Sequence, residues 1–122
     1  MGLRESQSLF AKQFAEFVVW LYEQGYEVTY GEAHRPEEMA DLYLANGKSK
    51  AGRNSLHCKK LAFDIFIFKN GKLLEDKKDL EFAGRKWESM CSLNSWGGFF
   101  KSFYDYPHFS RGIEKPERMR TA

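Results

Sequence analysis

The chain has 122 residues, of which 43% are hydrophobic and 16% aromatic, and its formal net charge at pH 7 is +2. This length suits one domain with one core, and the aromatic content argues against a disordered protein. The charge is too small to indicate nucleic-acid binding by itself, and no apolar run approaches the roughly 18 to 20 residues of a membrane span. Two cysteines do not make the disulfide framework of a small secreted domain.

The two ends of the sequence bear on where the protein acts. Residues 1–6 are polar and do not resemble a signal peptide, so we expect synthesis in a reducing cytoplasm, with a monomer as the default state. We expect a single domain over 1–122, with a core at about 9–110 and a basic tail at 111–122. The tail is either solvated or weakly attracted to an anionic polymer or membrane surface, and its basic residues are Arg111, Lys115, Arg118 and Arg120.

The first half of the sequence predicts two helices around a strand. Apolar residues at helical spacing predict a helix over about 6–24 that ends at Gly25, and they are Leu9, Phe10, Phe14, Phe17, Val18 and Leu21. Residues 26–30 alternate like a strand. Pro36 and the two acidic residues after it favour the start of a second helix, which should end near 46–47. A polar loop follows over 47–56.

The second half predicts a hairpin, a helix and a short strand. The run 61–68 is a strand candidate, and the Asn70-Gly71 turn should join it to a strand at 72–74. Asp79 is expected to cap a helix that reaches about Leu93. An aromatic cluster and a short strand around His108 complete the chain. Helices packed on a small, mostly antiparallel sheet make this an α+β fold.

An aspartate interrupts the otherwise apolar run 61–68. An ionised carboxylate in a low-dielectric interior is costly unless a metal or a cation compensates it, and Asp64 lies in the middle of this run. With His57 and His108 it makes a three-ligand set for a catalytic zinc, with a fourth position open for water. The alternative is a structural His/Cys zinc site that uses Cys58, next to His57, together with Cys91, and the absence of CxxC spacing disfavours it.

A second segment supplies a candidate proton carrier. Asp105 precedes His108 by three residues, so its carboxylate can share the site without binding the same ion. Such a group can take a proton from the attacking water and hand it to a leaving amine. Upstream, the glycine pair in Trp96-Gly97-Gly98 lets backbone approach closely beneath an aromatic wall.

These residues together resemble the M15 family of zinc peptidases, which includes D-alanyl-D-alanine carboxypeptidases, D,D-dipeptidases and phage L-alanoyl-D-glutamate endopeptidases. The first family motif, roughly Ser-x-His-x-x-Gly-x-Ala-x-Asp, is matched by Ser55, His57, Ala62 and Asp64. The second, Asp or Glu followed by two residues and His, is matched by Asp105 and His108. Lys60 replaces the motif glycine and Ser110 a frequent terminal glutamate. The resemblance covers about 9–110, and Trp-Gly-Gly is most similar to the endopeptidase branch.

The resemblance implies a role for each of these residues. It implies the Hedgehog/DD-peptidase-like fold of this family and Zn2+ held by His57, Asp64 and His108. Asp105 would be the general base and acid, and Arg35 would hold the substrate carbonyl and stabilise the oxyanion. Substrate contacts would come from Ser55, Arg35 and Trp96. The simpler interpretations are that Asp105 is a turn residue, Arg35 a surface residue, Ser55 a loop serine and Trp96 a residue of the packed core.

The resemblance also implies a substrate and a setting. The substrate would be the stem peptide of bacterial peptidoglycan, cut between L-alanine and D-glutamate by a phage endolysin that a separate membrane-permeabilising protein releases to the wall. The alternatives are a D-alanyl-D-alanine carboxypeptidase or dipeptidase on the same scaffold, and a catalytically impaired module that binds the wall or serves a structural role in a phage. The Lys60 and Ser110 departures leave the last alternative open.

Overall fold

The computed structural model describes residues 2–48, 52, 55–101 and 103–113. Three helices are α1 (Leu3–Glu23), α2 (Glu37–Ala45) and α3 (Lys77–Met90). Five strands are β1 (Glu27–Tyr30), β2 (Ala62–Lys69), β3 (Lys72–Leu73), β4 (Asn94–Trp96) and β5 (His108–Arg111). Short 3-10 helices span Leu56–Lys59 and Gly97–Phe99. The fold is α+β, as the sequence predicts.

The strands form one antiparallel sheet in the order β1-β2-β5-β4, with β3 paired to the far end of β2. Strand β2 is therefore central. It pairs with β1 over residues 65–68 and with β5 over residues 62–64, where Asp64 lies opposite His108. Because side chains alternate along a strand, Ile65 and Ile67 are buried on the face toward the core, while Asp64 and Phe66 lie on the other face. That second face carries the site described below.

The core lies between the sheet and helices α1 and α3. Apolar residues recur every three or four positions along α1, so they share one face, and Phe10, Phe14, Phe17 and Leu21 are all buried. Trp87 of α3 is fully buried, and its indole packs edge-on against Phe14 at 5.6 Å between ring centroids. Phe14 also stacks on Phe63 of β2 at 4.8 Å. These aromatic contacts fix the sheet against the helices and so hold β2 in place.

Strand β4 and the start of α3 differ from the prediction. Residues 94–96 carry no alternating apolar signal, and they form a strand because they pair with β5 and because Asn94 Nδ2 donates to the Trp87 carbonyl at 2.9 Å. Helix α3 begins two residues before Asp79, with Asp76 at its N-cap, and it ends at Met90 because Cys91 has extended dihedral angles. Asp79 lies in the first turn, where its charge still favours the N-terminal dipole.

One residue of the predicted basic tail, Arg111, belongs to the folded core. Arg111 belongs to β5 and is 2% exposed, so it is a core residue and not part of a tail. The remaining basic residues of the predicted tail, at 115, 118 and 120, lie outside the described residues. Within the described part of the chain, no helix is both long and apolar enough to span a membrane.

Candidate active site

Three side chains from different elements converge on one point. His57 comes from the first 3-10 helix, Asp64 from the middle of β2, and His108 from the first position of β5. One nitrogen or oxygen atom from each lies within 4.8 Å of the others. His57 Nε2 is 3.1 Å from Asp64 Oδ1 and 3.2 Å from His108 Nδ1. The structure thus brings together the three residues that the sequence predicts as metal ligands.

The backbone around His57 fixes its ring. Ser55 caps the 3-10 helix, and its Oγ accepts a hydrogen bond from the His57 backbone N–H at 3.2 Å. His57 Nδ1 lies 2.9 Å from the carbonyl oxygen of Ala33, and because a carbonyl only accepts, Nδ1 carries the proton. The lone pair of Nε2 therefore points toward Asp64 and His108. This second contact orients the ring in the way that metal-binding histidines usually require.

The backbone conformation at Lys60 is one that favours the glycine found at this position of the family motif. Its φ of 58° and ψ of 35° are left-handed, a conformation that glycine adopts without strain and a lysine adopts at a cost of roughly 1–2 kcal/mol. The turn after His57 therefore has a conformation that suits the motif glycine. The Lys60 side chain is exposed and lines a cavity of about 480 Å³ between α1 and the sheet, together with Phe10, Phe14 and Phe63.

The converging atoms are suited to a cation. Asp64 Oδ1 is buried and has no hydrogen-bond donor within the described ranges, although His57 Nε2 lies 3.1 Å away. With the proton of His57 on Nδ1, two lone pairs face each other across this short distance. Either a second proton on His57 or a metal ion has to separate them. Two imidazole nitrogens and a carboxylate oxygen are ligands that zinc commonly takes in catalytic sites.

The two histidines differ in their protonation. Burial lowers the pKa of His57, but the hydrogen bond to Asp64 and its negative charge, with the Ala33 carbonyl, outweigh burial and raise the pKa above 6.5. Burial, together with the positive charges of His57 and Arg35, lowers the pKa of His108 to about 4 against the opposing effect of Asp64. His108 is therefore neutral near pH 7 and offers a free lone pair, whereas His57 beside Asp64 keeps its second proton to a higher pH than a free imidazole does unless a metal replaces it.

Asp105 lies beside this group without joining it. Its Oδ2 is 4.0 Å from His108 Nδ1, and its side chain is 39% exposed. Burial raises the pKa of Asp105 and the charge of Asp64 raises it further, against His57 and Arg35. The backbone of Gly97 holds the residue, since its carbonyl accepts the Asp105 N–H at 3.1 Å and a Cβ on Gly97 would overlap the Asp105 carbonyl oxygen. The predicted close backbone approach at the glycine pair is therefore present.

Arg35 and Ser55 lie at the same site. Arg35 is 8% exposed, its Nη1 is 3.5 Å from Ser55 Oγ, and its positive charge lowers the pKa of His57, Asp105 and His108. The backbone N–H of Arg35 donates to the His57 backbone carbonyl at 3.1 Å. Arg35 is therefore held at the site, unlike a surface arginine, and Ser55 links it to the helix that carries His57.

Trp96 does not line a cleft, in contrast to the prediction. Its side chain is 0% exposed, and its Nε1 donates to the Tyr106 carbonyl at 2.8 Å. The indole lies so close to Gly84 and Gly98 that a Cβ on either glycine would overlap it. Trp96 therefore supports the loop that carries Asp105 from the core side, which is the packing role that the sequence left as the alternative.

Two partly exposed phenylalanines lie beside the converging residues and are better placed than Trp96 to form the wall of a cleft. The Phe100 ring packs on His108 at 5.5 Å between centroids and is 36% exposed. Phe66 follows Asp64 by two residues on the same strand face and is 38% exposed, and its ring lies against Gly31. The alternation along β2 was the signal for Phe66, whereas nothing in the local sequence separates Phe100 from its aromatic neighbours.

The two cysteines do not take part in this site. Cys91 Sγ accepts a hydrogen bond from Arg111 Nη1 at 2.9 Å, at the end of α3. Among the described residues, the group that could hold a metal ion contains the two histidines and Asp64 but neither cysteine, and both cysteines are free thiols. The alternative of a structural site that uses Cys58 and Cys91 is therefore wrong.

Comparison with known proteins identifies the family. A family model of the M15 peptidases, described as D-alanyl-D-alanine carboxypeptidase, matches residues 48–111, just over half of the chain. This chain belongs to the M15 peptidase family. The match includes His57, Asp64 and His108, and M15 peptidases are typically metal-dependent. A comparison with curated proteins gave no match.

The fold of this M15 peptidase is similar to a solved relative. The crystal structure of the L-Ala D-Glu endopeptidase ChiX of Serratia marcescens superimposes with a TM-score of 0.56 at 24% identity. The alignment covers 70% of this chain and 66% of that chain, slightly less than two thirds of the relative's length. The likeness shows that the M15 peptidase has the fold of such an endopeptidase.

Proposed function

We propose that this M15 peptidase is a zinc-dependent peptidoglycan hydrolase that cuts the stem peptide between L-alanine and D-glutamate. The observation that carries the proposal is the convergence of His57 Nε2, Asp64 Oδ1 and His108 Nδ1, with the buried carboxylate oxygen lacking a donor within the described ranges. These three atoms would hold Zn2+. Zn2+ held there would serve as a Lewis acid that polarises the scissile carbonyl and lowers the pKa of the attacking water.

Asp105 would act as the general base and acid. Its carboxylate lies next to the ligand group, and its 39% exposure leaves it open to water and substrate. It would accept the proton of the attacking water and return it to the departing amine. The raised pKa favours this role, because a base whose pKa is nearer the working pH can also give its proton back.

Arg35 would bind the carbonyl oxygen of the scissile bond. A guanidinium is planar and permanently charged, so it can hold that oxygen and stabilise the negative charge that forms on it. Ser55 Oγ accepts hydrogen bonds from His57 N–H and Arg35 Nη1, and its own O–H can donate to the substrate backbone. We assign the aromatic walls of the cleft to Phe66 and Phe100 in place of Trp96.

Different observations favour different scissile bonds in the stem peptide. The fold similarity to an L-Ala D-Glu endopeptidase and the Trp-Gly-Gly segment favour the endopeptidase. The matching family model is described as D-alanyl-D-alanine carboxypeptidase, which favours the second candidate, a carboxypeptidase or dipeptidase acting on D-alanine. The third candidate is a module that binds the wall without cutting it.

We further propose the setting of a phage endolysin. Residues 1–122 would act as one catalytic domain and as a monomer, made in the cytoplasm and brought to the wall with the help of a membrane-permeabilising protein. The resemblance of the motif segments to the phage branch of the family supports this setting. No nucleic-acid partner is proposed.

Mass spectrometry of digested muropeptides tests the proposal. The samples are the zinc-loaded wild type, a chelated wild type with and without added zinc, and Asp105→Asn, with Asp79→Asn on an exposed helix turn as the matched control. We expect new L-alanine and D-glutamate ends in the wild type and in the control only, lost on chelation and restored by zinc. Release of D-alanine would favour the second candidate, and wall binding without any product the third.

A further inference from the structure

We propose that Glu32 and Tyr43 are positioning residues that fix the orientation of the Arg35 guanidinium. The inference rests on the proposed function, in which Arg35 holds the carbonyl of the scissile bond. Glu32 lies in the segment after β1 and Tyr43 on helix α2, so two elements that contribute no metal ligand would set the geometry of the oxyanion site.

Glu32 holds one edge of the guanidinium. Its Oε1 accepts a hydrogen bond from Arg35 Nε at 2.5 Å, and the two side chains are only 26% and 10% exposed. A charge-assisted hydrogen bond in such a shielded position is stronger than an ion pair on the open surface. Because Nε is nearest the stem of the side chain, this bond limits rotation of the whole planar group.

Tyr43 holds the face of the same group. Arg35 Cζ lies 4.9 Å from the centroid of the Tyr43 ring, a distance typical of a cation–π contact. With one edge and one face both held, the guanidinium keeps a defined plane. A fixed plane favours catalysis, because a donor that is already aimed at the developing charge needs no reorganisation during the reaction.

Glu32 also ties this orientation to the metal-ligand strand. The Glu32 carbonyl accepts the Asp64 N–H at 2.7 Å, and the neighbouring Gly31 N–H donates to the Asp64 carbonyl at 2.7 Å. One residue thus contacts Arg35 through its side chain and Asp64 through its backbone. Glu32 therefore adds a short connection to Asp64 beside the one that Ser55 makes between Arg35 and the helix of His57.

A positioning role and a purely electrostatic role of Glu32 predict opposite changes in kcat when its side chain is removed. Its negative charge partly offsets that of Arg35, so on electrostatic grounds alone its removal would stabilise an oxyanion better and raise kcat. If the carboxylate positions the guanidinium, its removal lowers kcat even though the local charge becomes more positive. The direction of the change separates the two roles.

A double-mutant cycle on muropeptide cleavage tests the proposal. We expect Glu32→Ala to lower kcat about 10-fold to 100-fold with little change in KM, and Glu32→Gln, which keeps an acceptor oxygen, to lose less. In an Arg35→Ala background, Glu32→Ala should change kcat less than about twofold, because the group it positions is absent. Tyr43→Leu should behave like Glu32→Ala, and Tyr43→Phe, which keeps the ring face, should retain most of the activity.

The control is Glu81→Ala, which removes the partner of Arg85 from an exposed pair at 3.2 Å on α3. Zinc content and the midpoint of thermal unfolding are measured for every variant, so that loss of metal or of fold is separated from loss of orientation. An unchanged or raised kcat in Glu32→Ala would overturn the proposal. An equal loss in the presence and absence of Arg35 would do the same.

A second readout keeps this test separate from that of the proposed function. The Arg35 Nε–H proton should give an exchange-protected NMR resonance in the wild type that disappears in Glu32→Ala and persists in Glu81→Ala. If the wild type cuts no muropeptide, the proposed function fails while this resonance still reports whether Glu32 holds Arg35. A resonance that survives in Glu32→Ala overturns the inference whatever the activity is.

Discussion

Asp64 and His108 are direct cross-strand partners in the antiparallel pair formed by β2 and β5. Their relative position is therefore fixed by backbone hydrogen bonds and not by flexible side chains alone. A slip of one residue in this pairing would turn Asp64 toward the helices and separate the two side chains. The sheet thus prepares two thirds of the proposed ligand set before any ion binds, and the 3-10 helix adds His57.

Zinc affinity should rise with pH through the raised pKa of His57. Below that pKa, which lies above 6.5, a proton occupies the His57–Asp64 pair and zinc must displace it, so binding releases about one proton. Above it no proton competes and the affinity levels off. His108, with its pKa at about 4, does not compete in this range. Competition titrations with a chromophoric chelator between pH 5.5 and 8.5 measure this, and a flat profile would contradict it.

Asp105→Asn should abolish hydrolysis while leaving zinc in place. Removal of a general base lowers kcat by about 10² to 10⁴-fold, and Asp105 lies outside the group of three residues that we propose as ligands. Metal analysis of the purified variant and its kcat on a muropeptide check both halves. Because the pKa of Asp105 is raised, the acid side of the wild-type pH–rate profile should lie above the ordinary 3.8 of an aspartate. Loss of zinc together with activity would instead assign Asp105 to the ligand set.

Gly97→Ala should reduce kcat by displacing Asp105. The new Cβ would overlap the Asp105 carbonyl oxygen, so the 97–105 contact has to open and the carboxylate shifts away from the ligand group. A shift of about 1 Å can cost on the order of 100-fold in rate. Gly112→Ala is the matched control, since its Cβ would meet only the Leu93 carbonyl at 3.4 Å. Equal kcat for the two variants, measured on the same muropeptide, would show that Gly97 does not hold the base.

Phe66→Ala and Phe100→Ala should raise KM more than they lower kcat. Both rings are partly exposed beside a proposed ligand, so they can cover the substrate without touching the reacting atoms. Each truncation removes apolar contact area worth roughly 1–3 kcal/mol if the ring is buried by substrate. Val19→Ala, at a 57% exposed position of α1, is the control. Steady-state kinetics that show an unchanged KM would place these rings outside the substrate cleft.

Part of this site could be predicted from the sequence, because the cost of burying a carboxylate depends on residues that are its neighbours in the chain. A carboxylate inside the apolar run around Asp64 needs a partner wherever the strand lies, and the histidines supply one. The buried face of α1 could likewise be predicted, because its apolar residues recur with a period of about 3.6 residues. The antiparallel sheet and the α+β class follow from these elements and the Asn70-Gly71 turn.

Other features depend on contacts that no local pattern encodes. Strand β4 forms through pairing with β5, and Trp96 is buried because Gly84 of α3, as well as the nearby Gly98, leaves room for its ring. The Ala33 carbonyl sets the tautomer of His57 from 24 residues away. Tyr43 reaches Arg35 only through the position of helix α2, and Glu32, although three residues before Arg35, belongs to no motif.

Anomalous X-ray diffraction from crystals grown with zinc tests the central claim most directly. We predict one strong peak at the zinc edge, with His57 Nε2, an oxygen of Asp64 and His108 Nδ1 each at about 2.0–2.2 Å and Asp105 farther away. Asp64→Ala crystals grown under the same conditions should lose the peak. A zinc ion bound elsewhere, or no peak between these three side chains, would contradict the metal centre and the hydrolase that we build on it.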